Sequence, residues 1–144
     1  MLEIKQRLEQ VFDEKQAAVL AEILLYTLED EAFKALPRLL QRDFGVIVKG
    51  RLKRQYVADN KGNSIEVNII GEASRESEEV VIIGEAKSQL SKNDVDDFLR
   101  RKLKRFEGVF EQVFPVLVTY MTTAPDVEDY VRQKRMALYY SYDF

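Results

Sequence analysis

The stretch Val80-Val81-Ile82-Ile83-Gly84-Glu85-Ala86-Lys87 decides the fold. It opens on β-branched residues and stays apolar or small through Gly84, as a strand covered on both faces does. It then ends on Glu85 and Lys87, which strand alternation places on one face. Charges at the end of so apolar a strand need a partner or a metal ion, because an isolated buried charge is too costly. Upstream, Gln55-Tyr56-Val57-Ala58 and Ile65-Glu66-Val67-Asn68-Ile69-Ile70 flank the turn-rich Asp59-Asn60-Lys61-Gly62-Asn63 and read as a hairpin. Alternation there puts Glu66 and Asn68 on one face, so four polar side chains are expected to converge from neighbouring strands. The same spacing equally describes a surface strand end where Glu85 and Lys87 simply pair.

Working outward, Ser91 with Asp94 forms a capping box, and Val95, Phe98, Leu99, Phe106, Val109 and Phe110 recur at helical spacing, predicting a helix over 92–111. Val113 to Tyr120 is a further apolar strand. Pro125 suits the first turn of a helix ending near Arg135, and Ala137 to Tyr142 reads as a last strand. Towards the N-terminus, Asp13 with Gln16 resembles another capping box, and Ala17, Ala21, Leu24, Leu28, Ala32 and Ala35 keep to one helical face over 14–36. Pro37 disfavours helix at Leu36, and Gly45 is expected to close a short separate helix around Leu39 and Leu40. The predicted order is α, β, β, β, α, β, α, β, an α/β fold with a central mixed sheet flanked by helices. At 144 residues the chain suits a single domain, 1–144, with a helical part over 1–44 and a sheet-containing core over 45–144.

Composition removes whole classes of chemistry. The chain has no Cys and no His, which excludes disulfides, the usual zinc sites, Cys nucleophiles and every His-based acid–base mechanism. Any metal must be held by oxygen, which narrows the ion to magnesium, manganese or calcium. The net charge of −3 gives no overall attraction to nucleic acid, so local clusters would have to provide it. No apolar run approaches the roughly 18 residues of a spanning helix, and Met1-Leu2-Glu3-Ile4-Lys5 lacks the pattern of a secretion signal. No membrane association and a cytoplasmic location are the expectation.

An acid on a hairpin strand, then an apolar strand ending Glu-x-Lys, then a helix, in the order αβββαβ, resembles the PD-(D/E)XK nuclease superfamily with its restriction-endonuclease-like fold. The residues that carry the likeness are Glu66-Val67-Asn68 and Gly84-Glu85-Ala86-Lys87-Ser88-Gln89, and the matching order spans about residues 14 to 122. Within the superfamily the chain is similar to small prokaryotic members whose next helix begins Asp-rich, as Asn93-Asp94-Val95-Asp96-Asp97 does. One position departs: Asn68 stands where the family pattern has the metal-binding Asp, and an amide oxygen can ligate but brings no charge. Glu66, two residues earlier, is the candidate to supply it.

The resemblance implies metal-dependent phosphodiester hydrolysis of DNA, with magnesium or manganese as cofactor. Glu66, Asn68, Glu85 and the carbonyl of Ala86 would hold the ion, which would polarise the phosphate and generate hydroxide. Lys87 would orient the attacking water or stabilise charge on the phosphate oxygens, and Gln89 would hydrogen-bond water or substrate. Lys53, Arg54, Arg100, Arg101, Lys104 and Arg105 are the candidate DNA-backbone contacts, because phosphate contacts require cations rather than base-reading geometry. The same run on the second helix also describes a solvated face balanced by Asp94, Asp96 and Asp97. Two other readings stay open. One is a catalytically degenerate nuclease fold acting as a DNA-binding or protein-assembly module, the site being emptied by Asn68. The other is a structural homodimer whose Glu85 and Lys87 merely pair; Tyr139, Tyr140 and Tyr142 could stack on bases, but at strand spacing they fit sheet-surface and interface packing.

Overall fold

A computed structural model describes residues 4–144. Helix α1 (Ile4–Glu9) leads to the long α2 (Glu14–Phe44), followed by β1 (Val46–Ala58), β2 (Ser64–Arg75) and β3 (Glu78–Leu90). Helix α3 (Lys92–Asp97) runs on through a π-helical turn (Phe98–Lys102) and a 3-10 turn (Leu103–Phe106). Strand β4 (Val113–Thr122), helix α4 (Val127–Gln133), strand β5 (Ala137–Tyr140) and a 3-10 turn (Ser141–Asp143) complete the chain. The five strands form one sheet in the order β1-β2-β3-β4-β5. β1, β2 and β3 make an antiparallel meander, whereas β3, β4 and β5 run parallel. This is an α/β fold with a mixed sheet, and its order is the αβββαβ core that the sequence predicts.

Each face of the sheet buries its own core. On one side Leu28, Ala32, Leu36, Leu39 and Leu40 of α2 pack on Val46, Leu52, Ile69, Ile82, Val116 and Val118. On the other, Val95, Phe98 and Phe106 join Val127 and Val131 of α4 over Val67, Ile83 and Leu117. β3 contributes to both faces, which explains its nearly continuous apolar run. Among the described residues, no helix is long and apolar enough to cross a membrane.

Three expected boundaries are corrected. α2 does not break at Leu36: it continues through Pro37 to Phe44 and ends on Gly45, whose positive φ of 67° and N–H contacts to Gln41 and Leu40 carbonyls close the helix. The proline removes one backbone donor, but Leu36, Leu39 and Leu40 are all buried against the sheet, and that packing outweighs the local cost. The second helix stops at Phe106 rather than 111, since its regular part gives way to the π and 3-10 turns and Gly108 turns the chain with φ 81°. The last strand ends at Tyr140, where the Asp143 carboxylate accepts the Tyr140 N–H at 2.8 Å and curls the chain into a 3-10 turn.

Candidate functional site

The meander does not stay closed along its length. The β2–β3 ladder ends at the pair Ile69–Gly84, while β2 continues along β1 through Val67, Glu66 and Ile65. β3, for its part, follows β4 out to Leu90. The two strands therefore fork beyond Gly84, and the fork opens a cleft of about 610 Å³ lined by Asn68, Glu85, Ala86, Lys87, Ser88 and Gln89 from the strands. Ala21 and Leu25 of α2, Ser91 and Asp94 at the start of α3, Ile4 and Lys5 of α1 and Thr123 after β4 complete its walls. Gly84 makes the fork tight: a Cβ there would lie 3.0 Å from the Val116 carbonyl and 3.1 Å from Ile69 Cβ.

Asn68 sits in the fork. Its Oδ1 accepts the Ala86 N–H at 3.3 Å, a side chain standing in for the ladder bond that the diverging strands no longer make. Backbone alternation turns the Ala86 carbonyl the same way, towards β2. Glu85 lies on the α3 side with only 14% of its side chain exposed. Burial pushes its carboxyl above the ordinary value, while Lys87 and Lys102 pull against that and Asp94 and Asp97 reinforce it. The carboxylate pairs with Lys102 rather than Lys87: Lys102 Nζ is 3.8 Å from Glu85 Oε1 and donates to the Glu66 carbonyl at 2.5 Å. Lys87 forms no salt bridge among the described residues and lines the cleft.

Glu66 comes to the fork by its backbone only. Its side chain is exposed and is not part of the cleft wall, and its charge acts on Glu29, across on the α2 side. The reason is a bulge. The β1–β2 register steps from Lys53–Ile70 to Gln55–Val67, so β2 advances one residue more than β1. Val67 and Ile70 consequently share the α3-side core while Ile69 faces α2, and simple alternation fails across Asn68. Asp94 is engaged as a cap, its Oδ2 accepting the Ser91 N–H and Oγ at 2.9 Å each.

These donors do not fit a divalent ion. Among the described residues no three carboxylates gather to hold one. The cleft offers two carboxylates, Glu85 already paired to an ammonium and Asp94 already capping α3, and one amide oxygen already bonded to the main chain. A hard divalent cation requires several oxygen ligands and carboxylate charge.

The expected DNA contacts divide in two. Arg54 is committed on the α2 side, with Nε 2.6 Å from Glu29 Oε1 and an NH2 group 2.8 Å from Asp30 Oδ1. Burial pushes the Glu29 carboxyl up and Arg54 opposes it. Arg105 holds the hairpin tip, 2.7 Å from Asp59 Oδ2. Desolvation would raise the Asp59 carboxyl, but Arg105 and the N–H groups of Lys61 and Asn63 together hold it below its usual range. Arg101 lies 3.8 Å from Asp97. Lys53, Arg100 and Lys104 form no salt bridge among the described residues. Lys53 shares with Lys49 and Arg51 a groove of about 510 Å³ that reaches Phe110. Arg100 and Lys104 line the next hollow, which Phe110 also borders. Sequence reasoning left Lys102, Glu29 and Asp59 out of the site and its supports. The signal for Lys102 was its place on the inward stripe of Val95, Phe98 and Phe106.

No family model matches the chain, and no curated protein matches it. Among solved structures it is similar to the protein of unknown function AF1548, at 16% identity and a TM-score of 0.51, covering 78% of this chain and 57% of that one. It is also similar to the MspJI restriction endonuclease solved in complex with a 27-mer oligonucleotide, at 18% identity and a TM-score of 0.48. That alignment covers 89% of this chain and 29% of the endonuclease chain. The likeness to AF1548 is one of fold, and the chain spans a little over half the length of that neighbour.

Proposed function

We propose that the protein is a DNA-backbone-binding module on a PD-(D/E)XK nuclease scaffold, its cleft receiving a phosphodiester at Lys87 without cutting it. The observation that carries this reading is the pairing of Glu85, the cleft's strand carboxylate, with Lys102 while the exposed Glu66 side chain stays outside the cleft. Lys87 remains as a cation within the cleft, able to hydrogen-bond an anionic oxygen. Arg51 and Lys53 on β1, with Arg100 and Lys104 beyond Phe110, place cations along the α3 side of the sheet, beside Glu72, Glu107 and Glu111, where a polyanionic backbone would lie.

Magnesium- or manganese-dependent hydrolysis of DNA is the second reading. It is supported by Glu85 and Lys87 standing at a strand fork with Asn68 across from them, one amide short of the family's acid. The two readings separate in one assay on linear, supercoiled and branched DNA, with binding followed by fluorescence anisotropy. The binding reading expects association that Lys87→Ala weakens, and intact DNA with either metal. Cleavage by the wild type that needs metal and disappears in both Glu85→Gln and Lys87→Ala would establish hydrolysis instead. Absence of any association at low salt would remove both.

A further inference from the structure

The fork confronts two groups that each need a positive partner. Glu85 brings a mostly buried carboxylate, and Glu66 brings a backbone carbonyl beyond the last β2–β3 pair, Ile69–Gly84. In a metal-dependent site of this shape a divalent ion would satisfy such oxygens. Here a side chain already does so: the Lys102 ammonium lies 3.8 Å from Glu85 Oε1 and donates to the Glu66 carbonyl at 2.5 Å, with 24% of its side chain exposed. Its position is built into the helix. Lys102 ends the π-helical turn Phe98–Lys102, between the buried anchors Phe98 and Phe106, so its stem is directed inward by residues that cannot turn outward without opening the core.

Charge balance completes the argument. One ammonium neutralises one carboxylate, and Lys87 then leaves the cleft able to take an anion. A divalent ion added to the same cleft would meet the ammonium groups of Lys87, Lys102 and, at the cleft wall, Lys5, with Glu85 and the capping carboxylate of Asp94 to offset them. Asn68 contributes nothing to the balance, and its oxygen is held by Ala86.

We propose that the Lys102 ammonium takes the place of a divalent ion in this cleft, making the site refractory to metal and leaving Lys87 to receive a DNA phosphate. The inference rests on the reading of the cleft as a PD-(D/E)XK-type site and says why that site would work without metal.

The test is a manganese titration of the full chain, followed by the electron paramagnetic resonance signal of free Mn2+. Wild type, Lys102→Gln, Asn68→Asp and the double variant are compared, each with its circular dichroism spectrum and melting curve recorded. The expected result is no stoichiometric site in wild type and one site in the double variant that Glu85→Gln removes. Groups that touch metal ligands shift metal affinity by about 10–100-fold, and a gain of that size on replacing Lys102 in the Asn68→Asp background is the signature sought. One Mn2+ bound by wild type and lost in Glu85→Gln would overturn the proposal, whatever the variants do. So would a folded double variant that binds none. Should the Gln substitution unfold the chain, Lys102→Met keeps the apolar stem and serves the same comparison. DNA association of wild type in the presence of EDTA is measured separately. Its absence alongside the expected manganese pattern would sink the DNA-binding function but not the replacement of the ion.

Discussion

Glu85 carries its charge where water is scarce, and stability should record that. Its folded-state carboxyl is raised above its ordinary value of 4.5, so between 4.5 and the raised value the native protein holds a proton that the unfolded chain has lost. Stability contributed by this group is therefore present at low pH and falls as pH rises through the folded value. Glu85→Gln should flatten that part of the stability–pH profile measured by urea unfolding. A profile unchanged by the substitution would mean that Lys87 and Lys102 fully offset the burial. Arg54 gives a second residue-scale expectation. Its guanidinium compensates Glu29, which has 2% of its side chain exposed, and stacks over the Tyr26 and Phe33 rings. Arg54→Met leaves that carboxylate buried alone, and a loss of about 2–4 kcal/mol is expected in chemical denaturation, moderated because Arg54 is a third exposed. A negligible loss would mean that water reaches the Glu29 carboxylate, or that it takes up a proton, once Arg54 is gone.

At the scale of elements, α2 is longer than its proline allows on local grounds. Pro37 cannot donate to the Phe33 carbonyl, and a proline inside a helix costs up to about 3 kcal/mol relative to alanine. Because the buried leucines hold the helix in place, Pro37→Ala should stabilise the protein by about 1–3 kcal/mol in thermal or urea unfolding. A destabilised variant would show that the proline fits a bend the packing requires. The same contrast explains what was legible in the sequence. The hairpin, the apolar strand after it, both helix-capping boxes, the strand from Val113 and the position of the Glu-x-Lys strand end all followed from periodicity and capping chemistry, which are local; strand direction did not. The continuation through Pro37, the π turn before Leu103 and the bulge across Asn68 did not follow, because tertiary packing sets each of them. The bulge matters most for function. Alternation holds only while two strands advance together, and the extra residue in β2 sends Glu66 to one face and leaves Asn68 in the fork. Lys102 was visible as one cation in a run, and only its place on the stripe of Val95, Phe98 and Phe106 set it apart from its neighbours.

Over the whole molecule, an excess of acid coexists with a cationic face, so any DNA association must come from a few residues and must be steep in salt. The structure sorts the basic residues by what already holds them. Arg105 is bound to Asp59, which has 2% of its side chain exposed, and Asn60 reaches the Lys104 and Glu107 carbonyls at 3.4 Å, so this corner pins the hairpin tip to the 3-10 turn. Arg105→Gln is therefore expected to lower the melting temperature. Its effect on the salt dependence of DNA binding should be small, because the charge it removes is already spent inside the fold. Lys53, Arg100 and Lys104 have no such partner among the described residues. Each phosphate they neutralise contributes about 0.9 to the slope of log K against log salt on duplex DNA. Replacing all three by Gln should lower that slope by about 2–3 while leaving the melting temperature near that of wild type. The measurement is anisotropy at several salt concentrations, beside a melt of each variant. A slope that responds to Arg105 but not to the other three would place the DNA across the hairpin tip. A slope that responds to none of the four would return the basic run to a solvated surface that merely balances Asp94, Asp96 and Asp97.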